Sequence, residues 1–108
     1  GNGVAVPKEV RVALFRICQE GLHNAWKYAD ASRVEVRLDL QGHQVCLEIE
    51  DDGVGFEVPD HLGYLIDQQH LGLVGMRERV EGVGGRFEIQ SRISQGTKIS
   101  VMVPLEAS

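Results

Sequence analysis

Glu20, Asn24 and Lys27 are spaced four and then three residues apart in a helical pattern. At 100° per residue they fall within an arc of about 60°. A carboxylate and a carboxamide one turn apart suit a hard cation. The Asn24 oxygen is a neutral ligand for magnesium, and Glu20 can order a metal-bound water or take a proton as general base. Lys27 can neutralise phosphate charge. The same arc also reads as an ordinary solvated face. Three further signatures follow in order: Asp51-Asp52-Gly53-Val54-Gly55-Phe56 at a strand end, Gly72-Leu73-Val74-Gly75-Met76 opening a second helix, and Gly96-Thr97 starting a last strand.

Gly53 and Gly55 let the backbone after Asp51 turn sharply and approach a ligand closely. A carboxylate fixed there accepts a hydrogen bond from an exocyclic amine such as that of adenine, and repels the oxygen that guanine presents instead. Alone, the run also reads as a plain Asp-Gly turn; a calcium loop fits less well, since the Asp-x-Asp spacing and terminal Glu are missing. Gly72 to Gly75 at a helix start would offer free N–H groups and a positive dipole end to phosphate. The run matches neither a Walker loop nor a dinucleotide loop, and tight helix–sheet packing would also explain its small residues. Thr97 offers a hydroxyl, direct or through water, in support of Asp51. A nucleotide site accounts for the set economically.

These side chains need elements to hold them. Val10, Leu14, Ile17, Gly21 and Ala25 make one apolar stripe from Pro7 to about Tyr28, with Pro7 suited to the first helical position. Trp26 lies off that stripe and is expected to pack under the neighbouring hairpin, the alternative being that it faces a partner. Val34, Val36, Leu38 and Leu40 alternate with polar residues, as do Val45, Leu47 and Ile49, and the Gln41-Gly42-His43 link joins the two runs as a hairpin. A second pair of strands carries Phe87 and Ile89, then Ile99, Val101 and Val103. Strict alternation implies strands covered on one face only, hence a two-layer sandwich with helices on one side. A helix from Leu71 to about Val83 presents Leu73, Met76, Val80 and Val83, and Gly84-Gly85 ends it. Residues 57 to 70 lack periodicity, which in so small a domain marks a functional or mobile loop.

At 108 residues and 43% hydrophobic content the chain makes one compact domain. A net charge of -5 argues against a nucleic-acid surface. No apolar run is long enough to span a membrane. Cys18 and Cys46 lack metal-ligand spacing and read as reduced thiols in a cytoplasmic setting. The abrupt start at a helix suggests a piece of a longer protein, with residues 1–6 a tag remnant or linker.

From about Arg16 to Pro104 the chain resembles the ATP-binding catalytic domain of bacterial sensor histidine kinases, in the wider superfamily shared with gyrase, Hsp90 and MutL. Glu20-Gly-Leu-His-Asn24-Ala-Trp-Lys27 is similar to the N box of that family. Asp51-Asp-Gly-Val-Gly-Phe is similar to the G1 box, His70-Leu-Gly-Leu-Val-Gly-Met-Arg-Glu-Arg-Val to the G2 box, and Gln95-Gly-Thr97 to the short terminal motif. The Gly-Met-Arg-Glu-Arg wording is most similar to the nitrate-sensor and degradation-sensor branch. The resemblance implies an α+β two-layer sandwich of the Bergerat type, with a mixed, mostly antiparallel sheet and three helices on one face. It implies ATP and magnesium as ligands: Asn24 on the metal, Glu20 assisting, Lys27 on phosphate, and Asp51 with Thr97 on adenine. Gly53 and Gly55 would shape the base wall, Gly72, Leu73, Gly75 and Met76 would complete the nucleotide set, and 57–70 would be the ATP lid.

The implied partners are a dimerisation domain bearing the phosphoacceptor histidine, and a response regulator downstream. No direct contact with membrane or nucleic acid is implied, and the setting is cytoplasmic, with a membrane-anchored parent among the arrangements the resemblance allows. The expected activity is transfer of the ATP γ-phosphoryl group to that histidine. The alternatives are a serine kinase of the anti-sigma-factor type and a nucleotide-binding module without transfer activity. Two departures stand out. Tyr28 occupies a position where the family commonly has His, and none of His23, His43, His61 and His70 sits in an acceptor motif.

Overall fold

A computed structural model describes residues 6–27, 29–56 and 68–105. Helix α1 spans Lys8–Lys27. The Pro7 carbonyl accepts the Arg11 N–H at 3.0 Å, so Pro7 sits just before the helix as its cap rather than at the first helical position. Glu9 in the first turn and Lys27 in the last both complement the helix dipole. The buried stripe is Val10, Ala13, Leu14, Ile17, Gly21, Asn24 and Ala25. Its single polar member is the first sign that this face does more than pack.

Strands β1 (Val34–Gln41) and β2 (Gln44–Asp51) form a hairpin in which Gln41 pairs with Gln44. The connection is therefore Gly42-His43 alone. Gly42 has φ +62° and His43 is not left-handed, the pattern of a turn that takes Gly first. Helix α2 spans Gln68–Gly82, starting earlier than the apolar pattern indicates because Gln68 and Gln69 propagate a helix well. It ends where Gly85 N–H bonds the Val80 carbonyl at 2.9 Å and Gly84 N–H bonds that of Glu81 at 3.0 Å. Gly84, at φ +80°, takes the left-handed position this closure requires. Strands β3 (Arg86–Ser91) and β4 (Thr97–Pro104) complete a sheet of order β1-β2-β4-β3.

Among the described residues every strand pairing is antiparallel, two hairpins joined through β2 and β4, so the mixed sheet of the sequence expectation is not seen there. Two of the three expected helices fall within these residues. Both lie on one face of the sheet, and the α+β two-layer arrangement holds. The core lies between the helices and the central strands: Ile17, Leu47, Leu73, Met76, Val80 and Val103 are essentially inaccessible. Burying each such side chain contributes roughly 1.5–3 kcal/mol.

Coverage is uneven. Val34, Val36, Leu38 and Leu40 lie opposite Asp51, Ile49, Leu47 and Val45, so they share the helix-facing side of the sheet. Yet Val36 is 43% and Leu38 64% exposed, because α1 lies chiefly over β2 and only partly over β1, while α2 packs toward β3. Trp26 is 82% exposed on α1 and does not pack under the hairpin as its sequence position suggested. On the open face Arg37 reaches Glu35, Glu48 and Glu50, and Lys98 reaches Glu48 at 3.1 Å. Such solvated pairs add little stability. No described helix is long and apolar enough to cross a membrane. Cys18 and Cys46 are free thiols, and burial pushes the Cys18 thiol above its ordinary value.

Candidate functional site

The sheet register assembles one end of the molecule. Asp51 pairs with Thr97 across β2 and β4, and Thr97 pairs with Ser91 across β4 and β3. Counting back in twos, Asp51 shares a face with Ile49 and Leu47, and Thr97 with Ile99 and Val101. All three polar residues therefore face the helix layer. Asp51, Thr97 and Ser91 form a polar row where the apolar core stops.

Helix α1 brings Asn24 down onto this row. A Cβ on Gly21 would stand 2.7 Å from Ile49 Cδ1, so the missing side chain lets α1 lie close on β2. Asn24, one turn later, is 8% exposed, and its Oδ1 is fully buried without a hydrogen-bond partner among the described residues. An orphaned buried acceptor costs roughly 1–3 kcal/mol. Asn24, Asp51 and Thr97 line one small cavity, walled by Ile49, Phe56, Leu73 and Ile99. Its volume is about 20 Å³. That admits a single water, whereas ligand sites run to roughly 300 Å³ or more.

The glycines of the Asp51 loop are explained by close backbone approach. A Cβ on Gly53 would collide with the Ala29 carbonyl oxygen, which also receives the Val54 N–H at 2.8 Å. Gly55 has φ +64° and lies against the carbonyls of Arg92 and Gly96. The adjacent carboxylates have separate tasks. Asp51 Oδ1 accepts the Gly53 N–H at 2.8 Å, which fixes the carboxylate at the cavity wall. Asp52 is exposed, and its Oδ1 accepts the Arg33 and Ser32 N–H groups at 2.9 and 2.7 Å. Those bonds, that to Arg33 foremost, hold its carboxyl below the usual carboxylate range. Asp52 ties the connection after α1 to the end of β2.

Other expected residues are placed differently. Gly72 and Gly75 lie inside α2, beyond its first four residues, so the free N–H groups of the helix start belong to 68–71. Gly72 instead makes room for Glu20, whose Oε1 occupies the space a Cβ would need. Gly75 faces open space. Leu73 and Met76 are core side chains, Leu73 also lining the cavity. Lys27 is exposed at the end of α1 and is not part of the cavity wall. The expected lid lies mostly outside the described residues; its last three positions, 68–70, belong to α2. Ser91 and Asp52 escaped the sequence reading. Ser91 carried a signal, a polar residue at an inward position after Phe87 and Ile89.

Fold and sequence agree on a class. The family of histidine kinase-, DNA gyrase B- and HSP90-like ATPases matches residues 9–107, and the chain belongs to it. Within that family the relatives that it matches include histidine kinases. The chain is 44% identical over 100 residues to the histidine-protein kinase/phosphatase UhpB of Salmonella typhimurium, covering 93% of this chain and 18% of that protein. It is 40% identical over 97 residues to the oxygen sensor histidine kinase NreB of Staphylococcus carnosus, covering 90% and 27%. To the histidine-protein kinase/phosphatase DegS of Brevibacillus brevis it is 36% identical over 105 residues, covering 97% and 26%. The chain thus spans about a quarter or less of these relatives. Among solved structures, the histidine kinase domain of the Erythrobacter litoralis blue-light activated histidine kinase superposes with a TM-score of 0.73 at 24% identity, covering 93% of this chain and 46% of that one.

Proposed function

We propose that this domain binds Mg-ATP and donates the γ-phosphoryl group to a histidine on a separate dimerisation domain, for onward transfer to a response regulator. The observation that carries the reading is the buried Asn24 Oδ1, without a hydrogen-bond partner among the described residues, on a side chain that lines the same cavity as Asp51. An acceptor oxygen held out of water without a donor suits a hard cation, so Asn24 would hold magnesium. That ion, when bound, supplies charge neutralisation to the phosphate oxygens.

The residues of the chain do the rest. Asp51, its Oδ1 engaged by Gly53, accepts from the adenine amine, with Thr97 beside it on the next strand. Gly53 and Gly55 shape that wall. Glu20, one turn before Asn24 and in the notch of Gly72, assists at the metal or takes the proton of the attacking group. Lys27, at the α1 terminus, meets phosphate charge. Gly72, Leu73, Gly75 and Met76 form the α2 side of the nucleotide site, with 57–70 as its lid. Catalysis is mostly positioning and electrostatic. The domain works on the cytoplasmic side of its parent.

The relatives named above are all histidine kinases, which supports a histidine acceptor over the serine alternative. Incubation with ATP and the cognate acceptor domain should yield an acid-labile phosphoprotein, lost in Asp51→Asn and Asn24→Ala. An acid-stable product would point to serine, and normal transfer by either variant under saturating ATP would remove the role assigned to that residue.

A further inference from the structure

Ser91 engages three polar groups with one hydroxyl. Its Oγ receives the Phe56 N–H at 2.9 Å, lies 3.0 Å from the Gly96 carbonyl oxygen, and lies 2.8 Å from Thr97 Oγ1. A hydroxyl has one proton and two lone pairs. The Phe56 amide takes one lone pair. The Gly96 carbonyl can only accept, so the Ser91 proton goes there. Thr97 must then donate its own proton into the remaining lone pair of Ser91. This leaves the Thr97 hydroxyl with only lone pairs to offer the cavity that it lines beside Asp51.

We propose that Ser91 is a positioning residue for base selection: by taking the Thr97 proton, it holds Thr97 as an acceptor. The base end of the cavity then presents two acceptors, the Asp51 carboxylate and the Thr97 hydroxyl, to a purine edge that must donate. A 6-amino purine, or a water donating on its behalf, satisfies both. A 6-oxo purine turns an acceptor oxygen toward the site where the amine would donate and keeps only its N1–H as a nearby donor, so one of the two acceptors is left opposed, and buried mismatches of this kind discriminate strongly. The inference rests on the nucleotide reading above and deepens it. Ser91 itself does not line the cavity, so its effect passes through Thr97.

The test is calorimetric titration of the full chain with magnesium and either ADP or inosine diphosphate. Ser91→Ala releases the Thr97 proton to turn toward a 6-oxo group. The ADP preference should narrow by roughly three- to tenfold, one hydrogen bond's worth. Ser91→Thr should restore the preference, and adding Ser91→Ala to Thr97→Val should change the ratio no further. If Ser91→Ala does not fold, Ser91→Cys takes its place, with the same narrowing expected. A selective wild type whose ratio is unchanged in the variant, both affinities falling together, overturns the proposal alone and makes Ser91 a structural peg. A folded wild type that binds neither nucleotide overturns the nucleotide reading and the proposal with it.

Discussion

Replacing Asn24 by Leu should make the free domain more stable while abolishing its metal-dependent function. Asn24 Oδ1 is buried and unpartnered among the described residues, so the folded protein bears a desolvation cost of roughly 1–3 kcal/mol there. Leu keeps the same branched shape, its bulkier methyl groups filling part of the small cavity that Asn24 lines, and removes that cost. It also gains a few tenths of a kcal/mol in helix propensity within α1. Against this stands the loss of whatever the amide N–H groups contribute, about 0.5–1.5 kcal/mol. The net is a stabilisation of about 1 kcal/mol, or about 4 °C in Tm for a domain this size. Thermal unfolding should be followed by circular dichroism, first without nucleotide and then with saturating Mg-ADP. The wild type should gain thermal stability from Mg-ADP, since a ligand that binds only the native state stabilises it. Asn24→Leu should start higher and gain little. A variant destabilised by 1 kcal/mol or more in the absence of ligand would mean that Oδ1 is structurally satisfied, and the argument for a metal ligand would fail.

Two further outcomes follow from the Asp51 loop. Gly53→Ala places a Cβ on the Ala29 carbonyl, and neither backbone segment can yield cheaply. We expect a loss of about 3 kcal/mol or more, read as a lowered urea midpoint or as failure to fold; a loss below about 1 kcal/mol would refute the close approach. The Asp52 carboxyl has its folded pKa lowered from 3.8, so its contribution is fully present above that value and is lost as pH falls through the folded pKa. The stability gap between wild type and Asp52→Asn, measured by urea unfolding, should be constant from pH 7 to about 5 and shrink below about 4. A gap that widens on acidification would contradict the assignment.

Much of this was legible in the sequence because it depends on local pattern. The α1 stripe, the alternation in all four strands and the Gly84-Gly85 stop are fixed by period and by turn chemistry, and they appear where expected. The pairing of Asp51 with Thr97 is different. The motifs place both residues at strand ends, but only the order β1-β2-β4-β3 makes them neighbours. Coverage was not legible either. The alternation in β1 matches that in β2, and no feature of it tells that the described helices leave Val36 and Leu38 exposed. The start of α2 was obscured because glycines at 72 and 75 dilute its apolar face, while Gln68 and Gln69 continue the helix without an apolar signal. For Gly72 the sequence offers a phosphate loop or close packing through small residues, but not that the Glu20 carboxylate of another helix occupies the space of its missing Cβ. Side-chain notches of that kind are tertiary and leave no trace in spacing.

The most direct test of the central claim is calorimetric titration of this domain with ADP, ATP and GTP, with and without magnesium, alongside Asp51→Asn. The account predicts adenine-selective binding that magnesium strengthens and Asp51→Asn abolishes. Equal affinity for ADP in Asp51→Asn, or no nucleotide binding by a folded wild-type domain, would contradict it.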